Sequence, residues 1–190
     1  MSPGDSAPTS VQVDPMDVAV LQHKILYTCD LMGNVLKHAG QCFILMECND
    51  FSPGVFDAQG RLLSIKSWMP LHVAVAKSQV SPLVERFEGN IFPGDVFLAN
   101  DPYLAAGSHL NDWSVIRPVF YEDELIFFTL LKGHQQDTGG AFPSGYYPGA
   151  YDIHSEGIRI DYTKIYERGE RQPVYDFILN NVRWPDVVSM

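Results

Sequence analysis

Cysteine and positive charge are both scarce in this sequence. The 190 residues contain three cysteines, Cys29, Cys42 and Cys48, an odd number without C-x-x-C spacing. This pattern argues against a disulfide framework and against a cysteine zinc site. Lysine and arginine total 13 against 23 acidic residues, which gives a formal net charge of -10. Because non-specific nucleic-acid binding depends on basic patches that neutralise phosphates, we expect no nucleic-acid partner.

The sequence also lacks long apolar runs. The longest uncharged apolar stretch, residues 125–131, is far shorter than the roughly 20 residues that a membrane-spanning helix needs. The first ten residues, MSPGDSAPTS, lack the basic start and the apolar stretch of a signal peptide. We therefore expect no membrane partner and a cytoplasmic protein, and we interpret residues 1–13 as a disordered lead-in.

Several motifs that carry chemistry in other enzymes are missing. No GxxxxGK[ST] sequence is present, so we expect no P-loop for ATP on this chain. No GxSxG sequence is present either, and no cysteine lies in a recognisable nucleophile motif. These classes of active site are therefore disfavoured.

The composition that remains suits a folded domain, with 46% hydrophobic and 12% aromatic residues. For residues 14–190 we predict an α+β fold with a mixed, largely antiparallel sheet and packed helices. The predicted elements are a helix over 15–39, strands over 42–47, 54–57, 62–65 and 95–99, mostly helical structure over 71–87, a hairpin of strands 113–121 and 124–132, an ordered loop over 139–149, and a short helix over 174–182.

Three features refine these elements. Asp14 is a good N-cap for the first helix, and Gly40 is typical of a helix end. Pro82 predicts a kink in the 71–87 segment or its division into two helices. Pro118 predicts that its strand is bulged or at an edge there. The apolar stripe that should face the sheet from the first helix consists of Val18, Leu21, Ile25, Met32 and Val35.

Three ligand-type residues, His109, Asp112 and His134, are candidates for a metal site. His109 and Asp112 lie three positions apart at a turn entering a strand, where both side chains can converge. Paired residue numbers in an antiparallel hairpin have a constant sum. If Tyr121 pairs with Glu124, that sum is 245, and His134 lies opposite Asn111 and beside the other two ligands. A slip of one residue at a bulge would not separate the three.

Two imidazoles and one carboxylate suit Zn, Mn or Fe, with open positions for water or substrate. Asp50 is a candidate fourth ligand, and we expect it to follow a strand and precede a loop. Asp101 and Asp137 are candidates for orienting the imidazoles. We take Asp137 and His72 as the candidate catalytic residues.

The alternative to a metal site is that these histidines are hydrogen-bonded structural residues, since HxxD is a short and common pattern. The spacing also differs from the H-x-D/E pair of the Fe(II) oxygenases. The aromatic, glycine-rich loop 139–149 fits a lid over a small apolar substrate and fits a structural Ω-loop equally well.

Several sequence blocks resemble those of a known family, in consistent order over roughly residues 14–188. The blocks are DFSPGVFDAQGRL (50–62), PGDVFLANDPY (93–103), SHLNDW (108–113), GHQQDTGG (133–140), IHSEGIRI (153–160) and ILNNVRWP (178–185). The family is that of hydantoinase B, the C-terminal half of 5-oxoprolinase, and the α subunit of acetone carboxylase.

This resemblance implies a divalent metal, Zn or Mn, on residues matching His109, Asp112 and His134, with Asp50 a further candidate. It implies ATP on a hydantoinase A-type partner subunit, which activates a small-molecule amide or ketone. Two positions depart from the family pattern, Gln135 in place of a second histidine and the segment ECND at 47–50. Family subunits are several times longer, so the resemblance implies the N-terminal portion of a larger B-type subunit or a split-gene product.

Three functions stay open at this stage. The leading hypothesis is the metal-bearing subunit of an ATP-dependent hydantoinase/oxoprolinase-type amidohydrolase, which opens a cyclic amide or imide ring. The first alternative is the α-type subunit of an ATP-dependent acetone or aryl-ketone carboxylase. The second is a non-catalytic assembly piece whose metal is structural.

Overall fold

A seven-stranded sheet forms the centre of the structure, a computed structural model that describes residues 13–143 and 147–188. The helices are α1 (Pro15–Ala39), α2 (Phe43–Met46), α3 (Pro70–Ala76), α4 (Val80–Arg86) and α5 (Pro173–Asn180). The strands are β1 (Phe51–Asp57), β2 (Leu62–Ile65), β3 (Val96–Ala99), β4 (Asp112–Tyr121), β5 (Glu124–His134), β6 (Thr163–Glu167) and β7 (Glu170–Arg171). Residues 1–12 of the expected lead-in and residues 144–146 of the expected loop lie outside the described ranges.

The strands lie in the order β2-β1-β5-β4-β3-β6-β7, and each described pair is antiparallel. This arrangement confirms the predicted α+β class and its largely antiparallel sheet. Strand β5 lies between β1 and β4, so both of its edges are hydrogen-bonded to neighbours. Its central position explains why LIFFTLL (125–131) is apolar at successive positions.

Helices cover the sheet on both faces. On the first, which we call the α3/α4 face, residues from α3 and α4 pack on alternate residues of β4 and β5, including Ile116, Phe128 and Leu130. On the second, the α1/α5 face, Trp113 packs near α5 and Leu131 packs near α1 and α2. Successive strand residues point to opposite faces, so within residues 112–119 and 127–134 the even-numbered residues lie on the first face and the odd-numbered residues on the second.

Helix α1 begins and ends as predicted. The Asp14 carboxylate accepts a hydrogen bond from the Met16 N–H at 2.8 Å, and Pro15 occupies the first helical position. At the other end, the Gly40 N–H donates to the Leu36 carbonyl at 2.7 Å. No helix in the described part of the chain is both long and apolar enough to cross a membrane.

The apolar stripe expected to bury α1 is only partly covered. Val18, Leu21 and Val35 are exposed, whereas Cys29 and Gly33 are buried. The first half of α1 leaves a groove of about 500 Å³ against the sheet. That groove is lined by residues including Val18, Leu21, Leu63 and Phe127.

The predicted strand over 42–47 was wrong, because the chain forms helix α2 there. A short apolar run does not by itself distinguish a strand from a buried helical turn. In the structure Cys42 and Leu45, three residues apart, are buried while Phe43 is exposed, which is a helical pattern. Asp50 therefore follows a helix and directly precedes strand β1, rather than following a strand and preceding a loop.

The structure confirms both proline predictions and gives the positions of the break and the bulge. The 71–87 segment does divide into two helices, but the break lies at residues 77–79, and Pro82 is in the first turn of α4. A proline is tolerated there because its missing N–H has no partner within the helix. The hairpin bulge falls between Val119 and Phe120, just after Pro118. Strand β3 pairs with β4 only as far as Ile116, so Pro118 lies where β4 has lost that neighbour.

Candidate metal centre

A tight turn brings His109 and Asp112 together just before β4. The Asp112 N–H donates to the His109 carbonyl at 3.1 Å, which closes the turn over residues 109–112. The His109 Nε2 atom then lies 2.8 Å from the Asp112 Oδ1 atom. The structure therefore confirms that these two side chains converge at a turn.

The hairpin of β4 and β5 adds His134 to this pair. The bulge after Val119 shifts the register by one residue, so His134 lies opposite Asp112 rather than opposite Asn111. Its Nδ1 atom is 3.3 Å from the Asp112 Oδ1 atom, and its ring centroid is 4.9 Å from that of His109. The register shift therefore places His134 directly across from the Asp112 carboxylate.

The three side chains, which we call the ligand triad, offer one donor atom each within 4.8 Å of one another. Asp112 and His134 are buried, while His109 keeps about a quarter of its side-chain surface exposed. The open side of the triad is therefore at His109. Two imidazole nitrogens and a carboxylate are a donor set that zinc and other divalent transition metals accept.

Asp50 lies beside the triad. Its Oδ2 atom is 4.0 Å from the His134 Nδ1 atom, and the His134 N–H donates to the Asp50 carbonyl at 3.0 Å. The Asp50 Oδ1 atom is buried and makes no hydrogen bond to the described residues. A buried carboxylate oxygen without a donor is costly, and a bound cation would satisfy it. The residues present therefore fit a divalent metal.

The pKa of the Asp112 carboxyl is held far below its usual value. Burial alone would raise this pKa, but contacts from His109, His134 and His72 outweigh burial and favour the carboxylate. Ser108 also donates a hydrogen bond to the Asp112 Oδ2 atom. Asp112 is therefore ionised, as a metal ligand must be.

His72 lies against the carboxylates rather than at the open side. It is almost fully buried on α3, with its Nδ1 atom 3.2 Å from the Ser52 hydroxyl and its Nε2 atom 3.2 Å from the Asp112 Oδ2 atom. The distance from Nε2 to the Asp50 Oδ1 atom is 3.6 Å. This position suits a residue that orients the ligands, and it gives His72 no direct exposure to solvent.

The loop before the triad is held by Asn100 and Gly107. The Asn100 amide donates to the Leu110 carbonyl at 2.7 Å and to the Ile158 carbonyl at 2.9 Å. A Cβ atom on Gly107 would lie 2.1 Å from the Asn100 carbonyl oxygen, so only glycine fits this close approach. The loop that carries His109 is thus fixed by its own backbone and by the segment leading into β6.

Asp101 and Asp137, expected to orient the imidazoles, make other contacts. The Asp101 carboxylate accepts from the Tyr103 and Leu104 N–H groups and from Arg159.

Asp137, also expected to be catalytic, accepts from the Gly139 N–H at 3.0 Å and the Trp184 N–H at 3.2 Å. It also binds Arg183 through that residue's N–H and guanidinium. Asp137 thus connects the start of the 139–149 loop to residues 183–184. We call these contacts the clamp.

Two polar residues near the triad were not predicted. Ser108 precedes His109 and bonds Asp112. Lys132 is fully buried on β5, two residues before His134. Its burial lowers the pKa of its amine to about 8, against the opposing effect of Asp112. The sequence signal that could have identified it is the single charge at the end of LIFFTLLK, a strand predicted to lie deep in the sheet.

Comparison with known proteins identifies the relatives of this chain. Residues 14–190 match the family model described as hydantoinase B/oxoprolinase. Caprolactamase subunit beta of Pseudomonas jessenii is 33% identical over 172 residues, which are 90% of this chain and 29% of that protein. A 5-oxoprolinase of Dictyostelium discoideum is 32% identical over 169 residues, 89% of this chain and 13% of that protein.

Two solved structures are also similar to this chain. The crystal structure of the ATP-dependent caprolactamase from Pseudomonas jessenii superposes with a TM-score of 0.82 at 33% identity, covering 90% of this chain and 30% of that one. A nucleotide-free acetone carboxylase structure gives a TM-score of 0.83 at 21% identity, covering 92% and 23%. At that identity the second likeness concerns the fold alone. The chain spans less than a third of the length of each of these relatives.

Proposed function

This chain belongs to the hydantoinase B/oxoprolinase family, and on that premise we propose that it carries the metal centre of an ATP-dependent enzyme that opens a cyclic amide or imide ring. The observation that supports this most is the ligand triad of His109, Asp112 and His134 beside the unsatisfied Asp50 oxygen. The relatives named caprolactamase and 5-oxoprolinase act on lactam rings by their names, and both exceed 30% identity over most of this chain.

In this proposal His109, Asp112, His134 and Asp50 hold the metal, either Zn or Mn. The ion would supply Lewis-acid polarisation of a carbonyl or a lowered pKa for a bound water. His72 holds the Asp112 Oδ2 atom and Ser108 shares it, which leaves Oδ1 for the ion. The partly exposed side of the triad at His109 is where a substrate would approach. Asp137 keeps the clamp described above and takes no part in proton transfer.

We propose that ATP binds on a separate, hydantoinase A-like subunit. This chain has no P-loop, and relatives bear names such as ATP-dependent caprolactamase and subunit beta. Those relatives are about three times as long, and we propose that further polypeptide completes the active site. We place the protein in the cytoplasm, since all three cysteines are unpaired.

Amide ring opening is preferred over ketone carboxylation for a specific reason. The likeness to acetone carboxylase rests on the fold at 21% identity, whereas the lactam-acting relative reaches 33%. A purely structural metal is the remaining alternative. In that case a chelator would lower the melting temperature of the chain and leave turnover of the assembled enzyme unchanged.

The test is reconstitution of this chain with the products of its neighbouring genes. We expect about one Zn or Mn per chain by elemental analysis, and ATP-dependent opening of caprolactam or 5-oxoproline only in the complete mixture. His134→Ala should lose most of its metal and nearly all turnover, because one of the four proposed ligands is removed, while still binding the A-type partner. Full activity of His134→Ala, or carboxylation of acetone in place of ring opening, would overturn the proposal.

A further inference from the structure

A row of polar side chains crosses the sheet directly beneath the ligand triad. Lys132 on β5 pairs with Ser52 on β1 and with Ser114 on β4. One step towards the strand end lie His134 and Asp112, which pair with each other. One step the other way lie Leu130 and its apolar neighbours. We call Ser52, Lys132 and Ser114 the polar row, and it separates the triad from the apolar core.

Lys132 is fully buried within this row. Its Nζ atom lies 3.4 Å from the Asp112 carbonyl oxygen and 3.4 Å from the Ser114 hydroxyl. Ser114 in turn donates to the Gln79 side chain at 2.9 Å. Among the described residues, no carboxylate forms a direct ion pair with Lys132. The amine therefore meets neutral oxygens at the lower limit of hydrogen-bond strength.

A buried ammonium without a paired carboxylate destabilises a fold, and an apolar residue of similar length would avoid that cost. The inward-facing neighbours Phe128 and Leu130 on the same strand are apolar. The amine of Lys132 meets the backbone carbonyl of Asp112, and His134 lies two residues further along the same strand, opposite Asp112. The contacts of this buried lysine thus lead directly to the ligand triad.

We propose that Lys132 is a positioning residue that acts through Asp112, and that its positive charge weakens binding of a divalent metal at the triad and strengthens binding of an anion to that metal. This inference rests on the proposed function, since it concerns the same metal centre. Two carboxylates, Asp50 and Asp112, neutralise a divalent ion, and Lys132 then leaves the centre with one net positive charge. The anions that such a centre favours are hydroxide and carboxylates, and ring opening of an amide produces a carboxylate.

The experiment compares wild type with Lys132→Met at pH 7 after removal of metal with a chelator. Zinc affinity is measured by competition with a chromophoric chelator. Azide affinity is measured by the visible absorption of the cobalt-loaded proteins. We expect Lys132→Met to bind zinc about tenfold more tightly and azide about tenfold more weakly, because one nearby charge has been removed.

Two control variants distinguish the effect of the Lys132 charge from effects of packing and of its hydrogen bond to Ser114. Leu130→Met places a methionine on the same face of the same strand without changing charge. Ser114→Ala removes a hydrogen-bond partner of Lys132 and keeps the ammonium. Both should stay within about twofold of wild type for zinc and azide. A merely structural role for Lys132 would weaken both ligands together rather than shift them in opposite directions.

The zinc and azide results distinguish failure of the proposed function from failure of the role of Lys132. If wild type binds no zinc at the triad, the proposed function fails and this inference fails with it. If wild type binds zinc and Lys132→Met binds zinc and azide unchanged, or binds both more weakly, only the role of Lys132 is overturned. Should Lys132→Met not fold, Lys132→Gln keeps a donor for the Asp112 carbonyl without the charge. The same opposite shifts are then required.

Discussion

The two faces of the sheet differ in how completely this chain covers them. On the α3/α4 face most polar groups of the candidate metal centre are buried by the chain's own residues, with Lys132 and His72 fully buried. On the α1/α5 face the outward side of α1 carries exposed apolar residues. These are Met16, Val20, Tyr27, Leu31 and Val35.

This difference indicates that the α3/α4 face is complete within this chain and that the outward side of α1 is available to a partner. A helix that is apolar on both its inner and outer sides is typical of one buried between two partners. Contiguous exposed apolar surface is uncommon on proteins that act alone. The relatives of this chain are more than three times as long. The residues of the candidate centre are thus brought together by this chain itself, while the uncovered face agrees with the proposal that more polypeptide completes the enzyme.

The largest expected effect comes from truncating matched phenylalanines on the two faces. Phe128→Ala on the α3/α4 face removes a fully buried ring and should lower the free energy of unfolding by about 3–5 kcal/mol. Phe43→Ala on α2 removes a ring that is 63% exposed and should change it by less than about 0.5 kcal/mol. Urea denaturation of both variants checks this, and equal losses would erase the contrast between the faces.

A smaller effect is expected from filling the close contact behind His109. Gly107→Ala places a methyl against the Asn100 carbonyl, so the loop must shift, at a cost of about 2 kcal/mol. Zinc affinity should fall at least tenfold, because His109 is two residues away.

Gly89→Ala is the control for that substitution. It strains a left-handed backbone with no atom near the added methyl, and it should cost about 1 kcal/mol without changing zinc affinity. Unchanged zinc binding by Gly107→Ala, measured by chelator competition, would show that the loop does not set the position of His109.

The smallest expected effect concerns Asp101 and pH. Burial opposes ionisation of this carboxyl, but Arg159 and the Tyr103 and Leu104 N–H groups outweigh burial and hold its pKa below the ordinary value. Its stabilising contribution is therefore present above the unfolded pKa, about 3.9, and is lost as pH falls through the folded pKa. Asp101→Asn should be about 1–2 kcal/mol less stable than wild type at pH 7. That difference should shrink below pH 4 in thermal melts, and a constant difference from pH 7 to pH 3 would contradict this account.

The sequence was informative where local pattern and pairing agree. The capped helix, the hairpin predicted over 113–132 and the convergence of His109, Asp112 and His134 followed from caps, alternation and the constant sum of paired numbers. The exact register did not follow, because the count started from Tyr121 opposite Glu124, and the bulge after Val119 shifts the pairing beyond it by one residue. Sequence patterns alone also could not show that Asp137 clamps the chain near Arg183, since that contact joins residues 46 positions apart.

Other errors arose from tertiary context. The segment 42–47 is apolar enough for a strand, yet its neighbours α1 and β5 accommodate a helical turn. The stripe on α1 had the right period, but Val18 and Leu21 are exposed because the helix leaves a groove against the sheet. Lys132 was passed over because charge at a strand end is usually solvated.

The central claim is that the ligand triad binds a divalent metal, and anomalous diffraction tests it most directly. Crystals of the zinc-loaded chain should give one strong anomalous peak per chain at the zinc edge. The account predicts that this peak lies about 2.0–2.2 Å from nitrogen atoms of His109 and His134 and from a carboxylate oxygen of Asp112. A peak at any other cluster of the chain, or no peak at the triad in zinc-loaded crystals, would contradict it.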